Sequence, residues 1–172
     1  MDSKDRKGAE NTEQDIREKL IGYIRDNQAH FYRFAYQYVG DRDLAMDLVQ
    51  DAVVKALQHW ESLREPAAMR SWFYRILMRE CLSFLRQNRR VIYLAEPPVQ
   101  IQEGEEKQLE DREVLRQALD RLSPKIKTVV MLRFYEEMQL NEIAEITGTN
   151  LSTVKSRLYK GLKKLRESLQ EG

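Results

Sequence analysis

Between Ile146 and Arg166 the chain reads ITGTNLSTVKSRLYKGLKKLR. This stretch holds six bases (Lys155, Arg157, Lys160, Lys163, Lys164 and Arg166) and no acid, although the 172-residue chain has a formal net charge of only +1. At 100° per residue, Leu151, Val154, Leu158, Leu162 and Leu165 share an arc of about 80° on a helix. Ser152, Thr153, Ser156, Arg157, Lys160 and Lys163 lie on the opposite side. Short hydroxyls at a helix start let its backbone approach a groove, while Arg and Lys further along reach base edges or phosphates. The helix N-terminus itself favours a phosphate. A merely solvated face usually alternates signs to gain i,i+4 ion pairs, and this one does not. The chemistry it suits is contact with a polyanion.

Two further stretches carry functional residue types. In DRDLAMDLVQDAVVKALQHW, helical spacing turns Ala45, Val49, Ala52, Val53, Ala56 and Trp60 inward. It leaves Asp47, Asp51 and Gln58 outside with apolar Leu44 and Val54, which reads as a protein-binding surface. Asp43, Asp47 and Asp51 at i,i+4 spacing also suit a solvated triplet, but no phased His or Glu completes a metal site. MRSWFYRILMRECLSFLRQNRR interleaves aromatic rings with Arg70, Arg75, Arg79, Arg86, Arg89 and Arg90 against Glu80 alone. That pattern suits stacking on single-stranded bases and tracking of a phosphate backbone. It equally suits a bundle helix with Trp72, Tyr74 and Ile76 in the core. Cys81, the sole cysteine, excludes an internal disulfide and reads as a buried thiol, in keeping with a reducing cytoplasm. His30 and His59, the only neutral-pH bases, read as helix-surface or bundle-edge residues.

These residues must be positioned by helices, because the chain has few Gly and Pro and little β-branched alternation. The fold class expected is all-α, with two small helical domains. Residues 1–15 read as a disordered tail, and 16–92 as a bundle with periodic stretches over 16–38, 43–60 and 69–85. Asp41 is a plausible helix cap, and Pro66 marks a loop or helix start. Residues 93–110 form a flexible linker; from Glu96 to Glu113 seven acids face only Lys107 and Arg112. Residues 111–172 form a second helical unit. In it Ser123 is an N-cap, Pro124 the first helical residue and Asn150 the cap of the last helix. LNEIAEITGTNLSTVKSRL has the layout of a helix-turn-helix. Ala144 is small where the helices approach, Gly148 takes the turn at positive φ, and Val154 plugs the corner. The chain shows neither an apolar signal core nor a membrane-length apolar run, so a cytoplasmic protein without direct membrane insertion is expected. No cofactor or metal is called for.

DLAMDLVQDAVVKAL, SWFYRILMRECLSFLR and LDRLSPKIKTVVMLRFYEEMQLNEIAEITGTNLSTVKSRLYKGLKKLR together resemble the bacterial sigma-70 family, in its extracytoplasmic-function (ECF) group. The resemblance covers about residues 20–90 and 110–168 in the family's order. It implies a chain that binds core RNA polymerase and directs it to promoter DNA, held in check by an anti-sigma factor that is often membrane-anchored. By position, Asp47, Gln50 and Asp51, with Leu44 and Val54, align with the polymerase-binding helix. Glu61, Ser62, Leu63 and Arg64, in the loop 61–68, align with the segment that captures a flipped −10 base. Arg70, Ser71, Trp72, Arg75 and Arg79 follow in the −10 and melting segment. Ser152, Thr153, Lys155, Ser156, Arg157 and Lys160 align with the −35 readers. The acidic linker would by analogy thread polymerase channels that otherwise hold nucleic acid. Glu80 and Ser83 stand where relatives often carry Asn and Asp, so the −10 preference does not carry over. Thr149 and Leu151 replace a common Ile and Glu, and Leu151 reads as packing. Two other classes fit the motifs less well. A conventional helix-turn-helix regulator would bind palindromic half-sites without polymerase, and a helical enzyme has poor support, since the sequence offers no P-loop, no metal cluster and only His30 and His59 as neutral-pH bases.

Overall fold

The computed structural model describes residues 3–88 and 106–171. Among the described residues eight α-helices follow one another: α1 (Ser3–Asp26), α2 (Gln28–Val39), α3 (Arg42–Gln58), α4 (Met69–Gln87), α5 (Glu106–Asp120), α6 (Pro124–Phe134), α7 (Leu140–Thr147) and α8 (Leu151–Gln170). Two single-turn 3-10 segments, Trp60–Ser62 and Pro66–Ala68, join α3 to α4. The described residues contain no strand. No described helix is long and apolar enough to cross a membrane.

Three expectations about boundaries change. Residues 3–15, read as a tail, are helical within α1. The periodic stretch 16–38 is two helices, because Asn27 breaks it: its side-chain amide donates to the Tyr23 carbonyl over 2.8 Å, capturing an acceptor at the end of α1. Of the acidic linker, residues 93–105 lie outside the described residues, and from Glu106 the chain is helical.

Local chemistry sets the other junctions. Gly40, at φ 62°, ends α2, and its N–H donates to the Tyr36 carbonyl over 2.8 Å. The Asp41 carboxylate then accepts from the Leu44 N–H at 2.9 Å and starts α3. The N-terminal bundle closes on an aromatic cluster in which Phe31 lies 4.2 Å from Phe73, ring centre to ring centre, with Tyr74 edge-on to Phe31 and Phe34 edge-on to Tyr74. Such pairs add about 1 kcal/mol each beyond the area they bury. Cys81 is fully buried, and burial pushes its thiol well above the ordinary range.

In the C-terminal unit Pro124 opens α6 after Ser123. A capping box of Gln139 and Glu142 starts α7, with the Gln139 N–H donating to Glu142 Oε2 at 2.9 Å. Gly148, at φ 64°, makes the turn, and Asn150 caps α8 by accepting from the Thr153 N–H at 2.8 Å. Val154 is fully buried, with Leu158 and Leu165 beside it. Gly161 lets α8 approach α6 closely, since a Cβ there would stand 2.6 Å from Val130 and 2.9 Å from Ile126.

The two units are packed together. Buried apolar residues form one continuous cluster through both. The Tyr38 hydroxyl of α2 is hydrogen-bonded to Thr128 of α6, and α4 lies against α7.

Candidate nucleic-acid and polymerase interfaces

On α8 the buried Val154, Leu158 and Leu165 fix the helix's rotation, so Ser152, Lys155, Ser156 and Lys160 are exposed and Thr153 and Arg157 half-buried. Beyond its first residues the helix continues as a cationic surface through Lys163, Lys164 and Arg166. Leu151 departs from expectation. It is 36% exposed, at the first position of α8. Tyr159, 68% exposed, also lies among these cations and was not singled out by the spacing.

On α3 the face expected to bind protein is assembled. Asp47, Gln50 and Asp51 are exposed, Val54 is 52% exposed, and Leu44 is half-buried. Met46 and Leu57 add exposed apolar surface. Steps of three and four residues (46, 50, 54 and 57) place them on the same strip, a signal the sequence held.

The 61–68 loop is framed from beneath. Trp72 Nε1–H donates to Ser62 Oγ at 3.0 Å, and the Ser62 hydroxyl donates to the His59 carbonyl at 2.8 Å. Leu63, expected among the DNA contacts, is 3% exposed and belongs to the core, with α1 packed near both 3-10 turns. Glu61, Ser62 and Arg64 are exposed, and Trp72 and Ser71 half-buried. Glu80, the carboxylate on α4, is paired with Lys55 of α3, which neutralises it. Arg79 is exposed.

Arg70 and Arg75 point across the seam between the units. Arg70 donates to the Glu136 carbonyl, and Arg75 to the Glu145 carbonyl at 2.6 Å. The Glu136 carboxylate accepts from the Tyr74 hydroxyl at 2.5 Å and lies 3.6 Å from His30 Nδ1. Burial, with the Glu136 carboxylate reinforcing it, pushes the Tyr74 phenol far above the usual range. Tyr23 nearby is pushed up to about 12 by burial, an effect that Arg70 opposes. None of these seam contacts follows from local spacing, because even the nearest partners, Tyr74 and Glu136, are 62 residues apart in the chain.

Fold and surfaces thus define an all-helical protein with an acid-flanked apolar face on one unit and a basic helix-turn-helix on the other. Residues 23–91 match Sigma-70 region 2 and residues 112–165 match Sigma-70 region 4. The RNA polymerase sigma factor SigV of Bacillus subtilis (strain 168) is 42% identical over 87% of this chain and 90% of its own length. The RNA polymerase sigma-E factor of Streptomyces coelicolor is 30% identical over 86% of this chain and 84% of its own. The sigma factor RpoE of Bartonella quintana, solved in complex with the anti-sigma factor NepR, shares the fold. Its TM-score is 0.71 at 24% identity, over 91% of this chain and 98% of that one. The chain belongs to the sigma-70 family, as an ECF RNA polymerase sigma factor and hence a transcription initiation factor.

Proposed function

We propose that the work of this sigma factor is divided among three surfaces. Asp47, Gln50 and Asp51, with Leu44, Met46, Val54 and Leu57, dock on core RNA polymerase. Ser152, Thr153, Lys155, Ser156, Arg157 and Lys160 read duplex −35 DNA. The 61–68 loop and the arginines of α4 hold the opened −10 strand. Residues 16–92 thus form the −10 and polymerase domain, and residues 111–172 the −35 domain. The chain acts by binding and performs no covalent chemistry. It works in the cytoplasm beside the polymerase, and an anti-sigma factor restrains it, as NepR binds the similar RpoE.

The observation carrying this reading is the two-sided α8: its leucines and Val154 are buried, leaving hydroxyls and cations free at the capped start. Phosphate contacts supply salt-dependent affinity and base-edge contacts the choice of sequence. Unstacking a base costs a few kcal/mol, and capture in a preformed loop offsets part of that.

Run-off transcription with sigma-free core polymerase on a promoter library tests the reading. Enrichment of a promoter class with paired −10 and −35 elements is expected. Core activity unchanged by the added chain would reject it, and operator binding without polymerase would favour a conventional helix-turn-helix regulator.

A further inference from the structure

We propose that Met46 is an oxidation site on the polymerase-docking face of α3, where peroxide converts its thioether to the sulfoxide and so weakens docking reversibly. This inference rests on the reading of α3 given above. The chain has six methionines. Met69, Met78, Met131 and Met138 are at most 7% exposed and belong to the core, whereas Met46 is 51% exposed. Met1 lies outside the described residues. Cys81, the only thiol, is fully buried. Burial keeps it protonated well beyond neutral pH, so the thiolate that reacts with peroxide does not form. Among the described residues, Met46 is therefore the sulfur open to an oxidant in water.

Its position gives that chemistry a consequence. Met46, Gln50, Val54 and Leu57 follow one another at helical steps along the exposed side of α3, with Asp47 and Asp51 beside them. Met46, Val54 and Leu57 supply the exposed apolar area of this strip. An unbranched thioether moulds itself to an irregular apolar partner. Oxidation is a two-electron step with hydrogen peroxide as the oxidant. The sulfur lone pair takes one peroxide oxygen, the O–O bond breaks, and the second oxygen leaves as water. The sulfoxide is polar and must shed its bound water to dock against a surface shaped for an apolar side chain. Two thiols return it to the thioether, giving a disulfide and water. Polymerase covers Met46 once docked, so the free chain is the form that is modified.

The test treats the full chain with hydrogen peroxide, removes the excess with catalase and only then adds core polymerase, whose own sulfurs stay untouched. Peptide mass spectrometry places the added oxygen, and co-sedimentation reads core affinity. Met46 should oxidise before the four buried methionines, and the oxidised chain should bind core polymerase about tenfold more weakly. The two methionine sulfoxide reductases, supplied with a dithiol, should restore the affinity. Met46→Leu is compared only with itself before and after peroxide, and its affinity should not change between the two. A loss that persists in that variant overturns the proposal, because another site then causes it. Protection is measured separately, by forming the complex before peroxide is added, and should slow oxidation of Met46. If Met46 is protected but its sulfoxide binds as tightly as the thioether, the proposal is overturned and the docking reading stands. If Met46 oxidises equally fast free and bound, both fall.

Discussion

The indole N–H of Trp72 and the hydroxyl of Ser62 lie 3.0 Å apart, and Ser62 passes its own proton towards the His59 carbonyl. The single proton of that hydroxyl is committed to protein and one of its lone pairs is taken by the indole, so Ser62 ties the loop to α4. Ser62→Ala should weaken capture of an extruded base about three- to tenfold, the worth of one or two hydrogen bonds, and Ser62→Thr should restore most of it. A forked promoter carrying 2-aminopurine at the flipped position reports capture by fluorescence. A full effect on an abasic fork would show that the hydroxyl does something else.

The acid-flanked strip on α3 gives a charge-reversal test. Asp47→Arg with Asp51→Arg places like charge against a partner built for carboxylates, which costs several kcal/mol. Core polymerase binding should fall on the order of 100-fold, with unchanged helicity and melting because both side chains are exposed. Co-sedimentation and circular dichroism read the two effects, and undiminished binding removes the assignment.

On α8, cations and hydroxyls should separate by assay. Lys160→Ala should weaken −35 binding for every sequence alike and reduce the slope of log K against log salt by about 1. Ser156→Ala should leave the slope alone and alter which sequences are preferred. Titrations of a −35 duplex library at several salt concentrations distinguish them.

The glycines of the C-terminal unit are needed for different reasons. Gly161→Ala drives a methyl into Val130 and Ile126, and overpacking of this kind costs about 1–3 kcal/mol. Gly148→Ala meets nothing within 4 Å, so its cost is that of a left-handed alanine, about 1–2 kcal/mol. A second substitution enlarging the space, Val130→Ala, should partly rescue the former and do nothing for the latter in urea unfolding.

Alkali probes the seam. Tyr74 and Tyr38 both have phenols raised by burial, so the folded chain holds protons that the unfolded chain releases above about pH 10. Their contribution is intact below that pH and is lost as pH rises further. Buried Lys127, whose pKa is lowered, pulls the other way over the range up to its ordinary value near 10.5. Urea unfolding from pH 8 to 11 should show a decline that Tyr74→Phe makes shallower. An equal decline in that variant would leave Tyr74 without a part in it.

Much of this was legible in the sequence, and the reasons are local. Asp41, Asn150, Gly148 and Val154 act within a few residues of themselves, and their roles follow from types and spacing. Asn27 was not legible as a break, because hydrophobic periodicity runs on through it and only its side-chain amide ends α1. Leu151 and Leu63 exchanged expected roles because exposure at a helix start or in a loop depends on what packs above it. The seam was least legible: Tyr74 and Glu136 each look ordinary in their own segments, and only tertiary packing joins them.

The apolar cluster that runs unbroken through both units has a consequence for cooperativity. A closed chain melts as one body, since unfolding either unit strips cover from the other. Were the two units to separate, each would be left with a smaller core burying a lower share of its surface.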